Sequence, residues 1–133
     1  METISVLVVD DEPGIRSGIL RILAGHQVSF PFMDDDYTFE CLEAASGEEA
    51  LAMLEEKQPE ILLLDNKLPG MDGMEVLELI RKKNLDIMVA MITSYASLEI
   101  AAKATGDGAC DFIPKPFTPA ELKSSIDLIT KQY

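Results

Sequence analysis

Four short apolar runs punctuate the chain: Ile4 to Val9, Ile61 to Leu64, Ile87 to Ile92, and the shorter Cys110 to Ile113. The first three are continuous rather than alternating, the pattern of strands buried on both faces, and they predict a parallel sheet. Tyr37 to Ala44 alternates more and predicts an edge strand. Helical stripes with legible ends lie between the runs. Pro13 suits a first turn ahead of Ile15, Ile19, Ile22 and Leu23. Ser46 and Glu49 form a capping box before Ala50, Leu51 and Leu54. A third helix follows Asp72-Gly73 with Val76, Leu77 and Ile80 inward, and a fourth runs through Leu98, Ala101 and Ala102. The last opens on Thr118-Pro119-Ala120-Glu121, another capping box, and buries Leu122, Ile126 and Ile129.

Five strands alternating with five helices define an α/β class. Right-handed crossovers place helices on both faces of an open parallel sheet. Of the doubly wound arrangements, five such units fit the flavodoxin-like strand order 2-1-3-4-5, with its switch point between strands 1 and 3. The one irregularity is Gly25 to Asp36, holding Ser29-Phe30-Pro31-Phe32-Met33 and Asp34-Asp35-Asp36, which is long for a helix-to-strand connection.

Length and charge narrow the function. The 133 residues suit a single domain, 1–133, and 47% apolar content excludes disorder. Twenty-four acidic residues against 11 basic give a net charge of −13, a field that repels phosphate backbones and anionic membranes and favours small cations and basic partner surfaces. Direct nucleic-acid or membrane binding is therefore not expected. No apolar run approaches the ~20 residues of a membrane span, and Met1-Glu2-Thr3 lacks the start of a signal peptide, so a cytoplasmic location is expected. Cys41 and Cys110 form no metal-ligand pattern and fall on opposite edges of the predicted sheet, which excludes a disulfide; two reduced, partly buried thiols are expected.

In such a sheet, sites form at the carboxyl ends of the strands near the switch point. Strand 1 ends in Asp10-Asp11, strand 3 in Asp65, strand 4 in Thr93, and strand 5 runs into Lys115. Taken singly, Asp10 and Asp11 read as caps of the first helix and Asp65 as the start of a turn. Three acids with a hydroxyl and an ammonium at matching strand ends read as a site. Two unit charges about 5 Å apart at an effective dielectric of ~20 repel by roughly 3 kcal/mol, so cations must offset the acids. Lys115 supplies one charge. Oxygen-only ligands on a solvated edge suit Mg²⁺, with Mn²⁺ as a substitute. A carboxylate, a hydroxyl and an ammonium around a metal make a phosphoryl site, with Asp65, which stands alone after its apolar run, as the nucleophile.

These residues resemble the receiver domain of two-component response regulators. The matching stretches are Val8-Val9-Asp10-Asp11-Glu12, Leu64 to Gly73, Ile92-Thr93-Ser94-Tyr95-Ala96-Ser97, and Gly108 to Phe117. The resemblance implies that Asp65 accepts a phosphoryl group from a sensor histidine kinase, a phosphotransfer protein or a small donor such as acetyl phosphate. It implies that Asp11 binds Mg²⁺ directly, Asp10 largely through water, and Lys67 through its main-chain carbonyl, with Asp65 in the same ligand set. Thr93 corresponds to the switch hydroxyl, Phe112 to the switch aromatic, Lys115 to the ammonium partner, and Lys115–Pro116 to a cis peptide. Phe112, at a strand end, suits core packing equally well. Lys67 and Tyr95 occupy positions that tune water access; if they act there rather than as plain solvated side chains, phosphate loss is slow. The surface of the fourth helix, fifth strand and last helix, Leu98 to Ala104 and Thr118 to Ile129, is implied for homodimerisation or partner binding.

Other readings fit less well. A Mg²⁺-dependent phosphohydrolase of the haloacid-dehalogenase type needs Asp-x-Asp after strand 1, where this chain has Glu12 in the third position, and no cap segment is visible. A flavodoxin-like cofactor module fails because Asp10-Asp11-Glu12 repels the phosphate its first loop must hold. His26, the only histidine, is expected on the surface of the irregular connection, and Asp34-Asp35-Asp36 lacks the glycine and terminal Glu of a calcium loop. No effector follows the last helix, so the chain is read as a single-domain regulator or a piece of a longer one.

Overall fold

The computed structural model describes residues 2–29, 36–94, 106, 108–109 and 111–132. Alternate residues of each apolar run divide between two faces of one sheet. Ile4, Val6, Val8, Ile61, Leu63, Ala90, Ile92 and Ile113 enter one core, and Leu7, Val9, Leu62, Leu64, Val89 and Met91 the other. That division explains why the runs are continuous: both faces of the sheet are covered, and β3 is buried at every position. The strands are β1 (Glu2–Val9), β2 (Tyr37–Ala44), β3 (Ile61–Asp65), β4 (Met88–Thr93) and β5 (Asp111–Pro114), all parallel in the order β2-β1-β3-β4-β5. Leu62, Leu63 and Leu64 are each 1% exposed or less. Burial of each contributes about 2 kcal/mol, which fixes β3 in register and carries Asp65 to the strand end.

Four helices lie among the described residues: α1 (Pro13–Ala24), α2 (Gly47–Lys57), α3 (Gly73–Lys82) and α4 (Pro119–Gln132). Ile19 and Leu23 of α1 and Leu122, Ile126 and Ile129 of α4 cover the first core; Ala50 and Leu54 of α2 and Val76, Leu77 and Ile80 of α3 cover the second. The helix predicted through Leu98, Ala101 and Ala102 lies outside the described residues, as do Tyr95 and Cys110. The box before α4 is complete: Thr118 Oγ1 accepts from the Glu121 N–H at 3.1 Å, and Glu121 Oε1 accepts from the Thr118 N–H at 3.2 Å. Before α2, Ser46 Oγ accepts from the Glu49 N–H at 3.2 Å, but the Glu49 carboxylate turns to the Ala45 N–H instead of closing on Ser46.

The long connection is pinned at its neck. Val28 and Tyr37 exchange both main-chain hydrogen bonds, at 2.9 and 2.8 Å, and Val28 is buried. Gln27 Nε2 donates to Asp36 Oδ2 at 2.8 Å. His26 departs from the surface role expected of it. Its ring stacks on Phe39, with centroids 6.0 Å apart, and Nε2 lies 2.7 Å from Asp127 Oδ1 of α4, leaving the side chain 14% exposed. An aromatic partner and a carboxylate partner, both distant in sequence, draw it inward. Cys41 on the edge strand is a free, half-buried thiol, pushed up to about 11 by burial and then by the charges of Glu40 and Glu43.

Candidate functional site

The register of the sheet decides which side chains meet. Val9 pairs with Leu64, so Asp10 and Asp65 leave neighbouring strands at one level; Asp65 pairs with Ile92, and Thr93 pairs with Pro114, just before Lys115. Asp10, Asp65 and Thr93 are buried, at 2%, 4% and 0% exposure, while Asp11 and Glu12 face solvent. Lys115 Nζ donates to Asp10 Oδ2 at 2.6 Å and to Asp65 Oδ2 at 3.3 Å, bridging strands 1 and 3 from strand 5. The Lys115 N–H also bonds the Thr93 main-chain oxygen at 2.9 Å, and the Lys115–Pro116 bond is cis. Lys67, exposed two residues past Asp65, donates its N–H to Asp65 Oδ1 at 3.3 Å. Phe112, half-buried, packs against the core under α2 and α3.

The acids do not spend themselves on α1. Its N-cap position is Glu12, which makes no side-chain cap bond, and Asp10 Oδ1 instead accepts from the Glu12 N–H at 2.9 Å within the loop. Carboxylate oxygens of Asp10, Asp11 and Glu12 lie within 4.8 Å of one another, and Asp65 joins them through Lys115. One buried and two exposed carboxylates on an open edge fit a hard divalent cation that keeps several waters. Glu12 had no place in the expected ligand set; its adjacency to the aspartate pair was the only signal.

Burial pushes the Asp65 carboxyl above its ordinary value of 3.8; the Lys115 charge pulls it back, the Asp10 charge raises it again, hydrogen bonds from the Lys67 amide and Lys115 lower it, and the balance stays raised. Burial lowers Lys115, but its hydrogen bond to Asp10 and the charges of Asp65 and Asp10 overcome that and leave it above 10.5. Burial thus outweighs the pull of Lys115 at Asp65, whereas pairing with the two acids outweighs burial at Lys115.

The family model described as the response regulator receiver domain matches residues 6–127. The chain belongs to that family. This receiver domain is 34% identical over 128 residues to the DNA-binding transcriptional regulator NtrC of Salmonella typhimurium, covering 96% of this chain and 25% of that protein. It is 31% identical to the sporulation initiation phosphotransferase F of Bacillus subtilis, covering 91% of this chain and 89% of that one. Among solved structures, the receiver domain of NtrX from Brucella abortus is 32% identical with a TM-score of 0.80, covering 96% and 99% of the two chains. The chain spans about a quarter of the length of the NtrC relatives it matches.

The receiver domain also places residues that no periodicity marked. Arg16 on α1 donates from Nη1 to the Asp10 main-chain oxygen at 2.6 Å and pairs through Nε with Glu43 Oε1 at 3.2 Å. Asp111, at the start of β5, accepts from the Phe112 N–H at 2.8 Å and from the Ser125 hydroxyl of α4. Among the described residues, no helix is long and apolar enough to cross a membrane.

Proposed function

We propose that this receiver domain is a cytoplasmic phosphoacceptor switch, with Asp65 taking a phosphoryl group from the phosphohistidine of a sensor histidine kinase or phosphotransfer protein. The observation that carries the reading is Lys115, whose ammonium bridges the aspartate of strand 1 and that of strand 3. A carboxylate oxygen of Asp65 forms a bond to phosphorus as the P–N bond breaks. The electron pair leaves with the imidazole, and the product on the chain is an acyl phosphate. Asp10, Asp11, Asp65 and the Lys67 carbonyl would hold Mg²⁺, which when bound would supply positive charge to the transferring oxygens. Lys115 balances a further oxygen, and Thr93 offers its hydroxyl.

The added phosphate carries close to two negative charges. It draws Lys115 and Thr93 toward residue 65, and Phe112, in the same strand as the pinned Asp111, follows. A partner that prefers the shifted surface turns this bias into signal. Leu128 of α4, 56% exposed beside Phe112 and Pro114 of β5, supports that surface as the site of partner binding or homodimerisation. Lys67 and Tyr95 tune water access to the acyl phosphate and slow its loss.

Incubation with acetyl phosphate and Mg²⁺, followed by intact-mass measurement, is expected to show one phosphoryl group per chain, abolished by a chelator. Many turnovers of a phosphate ester without retained label would indicate a phosphohydrolase instead.

A further inference from the structure

Every polar group of Asp10 has a partner, and the partners of its two main-chain groups come from outside the acidic loop and the site. The Asp10 N–H donates to the Ala44 carbonyl of β2 at 3.2 Å, Oδ1 accepts from Glu12, and Oδ2 accepts from Lys115. The carbonyl accepts from Arg16 Nη1 at 2.6 Å, a charge-assisted bond shorter than the usual N–H···O distance. That carbonyl belongs to the planar unit joining Asp10 to Asp11, so its direction sets where the Asp11 Cα lies and how the Asp11 carboxylate is presented. Nε of the same guanidinium is anchored on Glu43 at the end of β2, and the Arg16 side chain is only 16% exposed. A planar guanidinium fixes the direction of both bonds at once, whereas a point-like ammonium on a flexible stem fixes neither.

We infer that Arg16 is a positioning residue of the metal centre, its guanidinium clamping the Asp10–Asp11 peptide to Glu43 so that Asp11 faces the cation. This inference rests on the reading of Asp10 and Asp11 as metal ligands. It makes a prediction whose sign separates it from simple electrostatics. A nearby positive charge by itself repels a cation, so neutralising Arg16 would tighten metal binding if charge were its whole role. Positioning demands the opposite.

The test is a titration of the unphosphorylated chain with Mn²⁺ alone, reading free ion by electron paramagnetic resonance, beside thermal melts without metal. Arg16→Gln is expected to weaken Mn²⁺ binding by about tenfold to a hundredfold, the range for losing one charge-assisted hydrogen bond. Unchanged or tighter binding overturns the inference. Should Arg16→Gln lose its cooperative melt, Arg16→Lys decides: it keeps the charge, and binding about threefold weaker or more supports the clamp, whereas equal affinity overturns it. Failure of the parent chain to bind Mn²⁺ would remove the reading of the acids as a metal centre, a result distinct from a parent that binds and a variant that binds equally.

Discussion

Gly73→Ala is expected to destabilise the fold by about 3 kcal/mol and to slow phosphorylation of Asp65 by about tenfold or more. Gly73 is the first residue of α3, and its N–H donates to the Asn66 carbonyl at 2.8 Å. A Cβ at this position would stand 2.3 Å from the Asp65 carbonyl oxygen and 2.7 Å from the Asn66 Cα. Both are main chain, so no side-chain rotation relieves the clash. Either α3 lifts from the sheet or the backbone of Asp65 moves. Asp72 Oδ1 caps the same turn through the Glu75 N–H at 2.9 Å, which resists the first response and transmits the strain to the second. Gly18→Ala on α1 is the contrasting variant: its Cβ meets nothing within 4 Å, and helix propensity predicts a gain of about 0.5–1 kcal/mol. Urea unfolding of the two variants measures the difference, and an unchanged midpoint for Gly73→Ala would contradict the close approach described.

Lys115→Met is expected to cost about 3 kcal/mol at neutral pH without metal, because it strands two buried carboxylates. The Lys115 side chain is 12% exposed, and those of Asp10 and Asp65 are 2% and 5% exposed. Asp65 is raised in the folded chain, so its contribution favours folding below the ordinary carboxylate value of 3.8 and is lost as pH rises through the raised value. Removing Lys115 takes away a charge and a hydrogen bond that lower Asp65, and so raises it further. The deficit of the variant is therefore largest from neutral pH up to the ordinary lysine value of 10.5 and shrinks as the acids protonate. Lys115 itself is raised, so the parent keeps its advantage below 10.5 and loses it as pH climbs through the raised value. Added Mg²⁺ is expected to restore part of the loss by supplying charge at the acids. Melting curves across pH, with and without Mg²⁺, check each of these signs; a deficit that grows on acidification would contradict the account.

Much of this fold and site is legible in the sequence. Ile61 to Leu64 is buried on both faces, which is why its lack of alternation identified a central strand and why Asp65 had to emerge at its end. Tyr37 to Ala44 alternates because β2 is an edge, with Glu40 exposed and Phe39 inside. Strand order then brought Asp10, Asp65 and Lys115 together without reference to their spacing in the chain. What escaped were contacts with no period. Arg16 reaches the Asp10 carbonyl only because α1 turns back over the loop, and His26 finds Phe39 and Asp127 only because the connection is folded in at Val28 and Tyr37. Ile15 and Ile22, read as part of the apolar stripe of the first helix, stay partly open because they line a groove of about 330 Å³ facing Pro116 and Phe117. A stripe marks the side of a helix that faces inward, but it does not show how closely the neighbouring loop covers it.

The most direct measurement is the location of the transferred group. After reaction with acetyl phosphate and Mg²⁺, borohydride reduction of an acyl phosphate converts the modified aspartate to homoserine, which peptide mass spectrometry locates. Homoserine at position 65, absent from Asp65→Ala, is the expected result; reduction at another acid, or equal labelling of Asp65→Ala, would contradict the assignment of Asp65 as the acceptor.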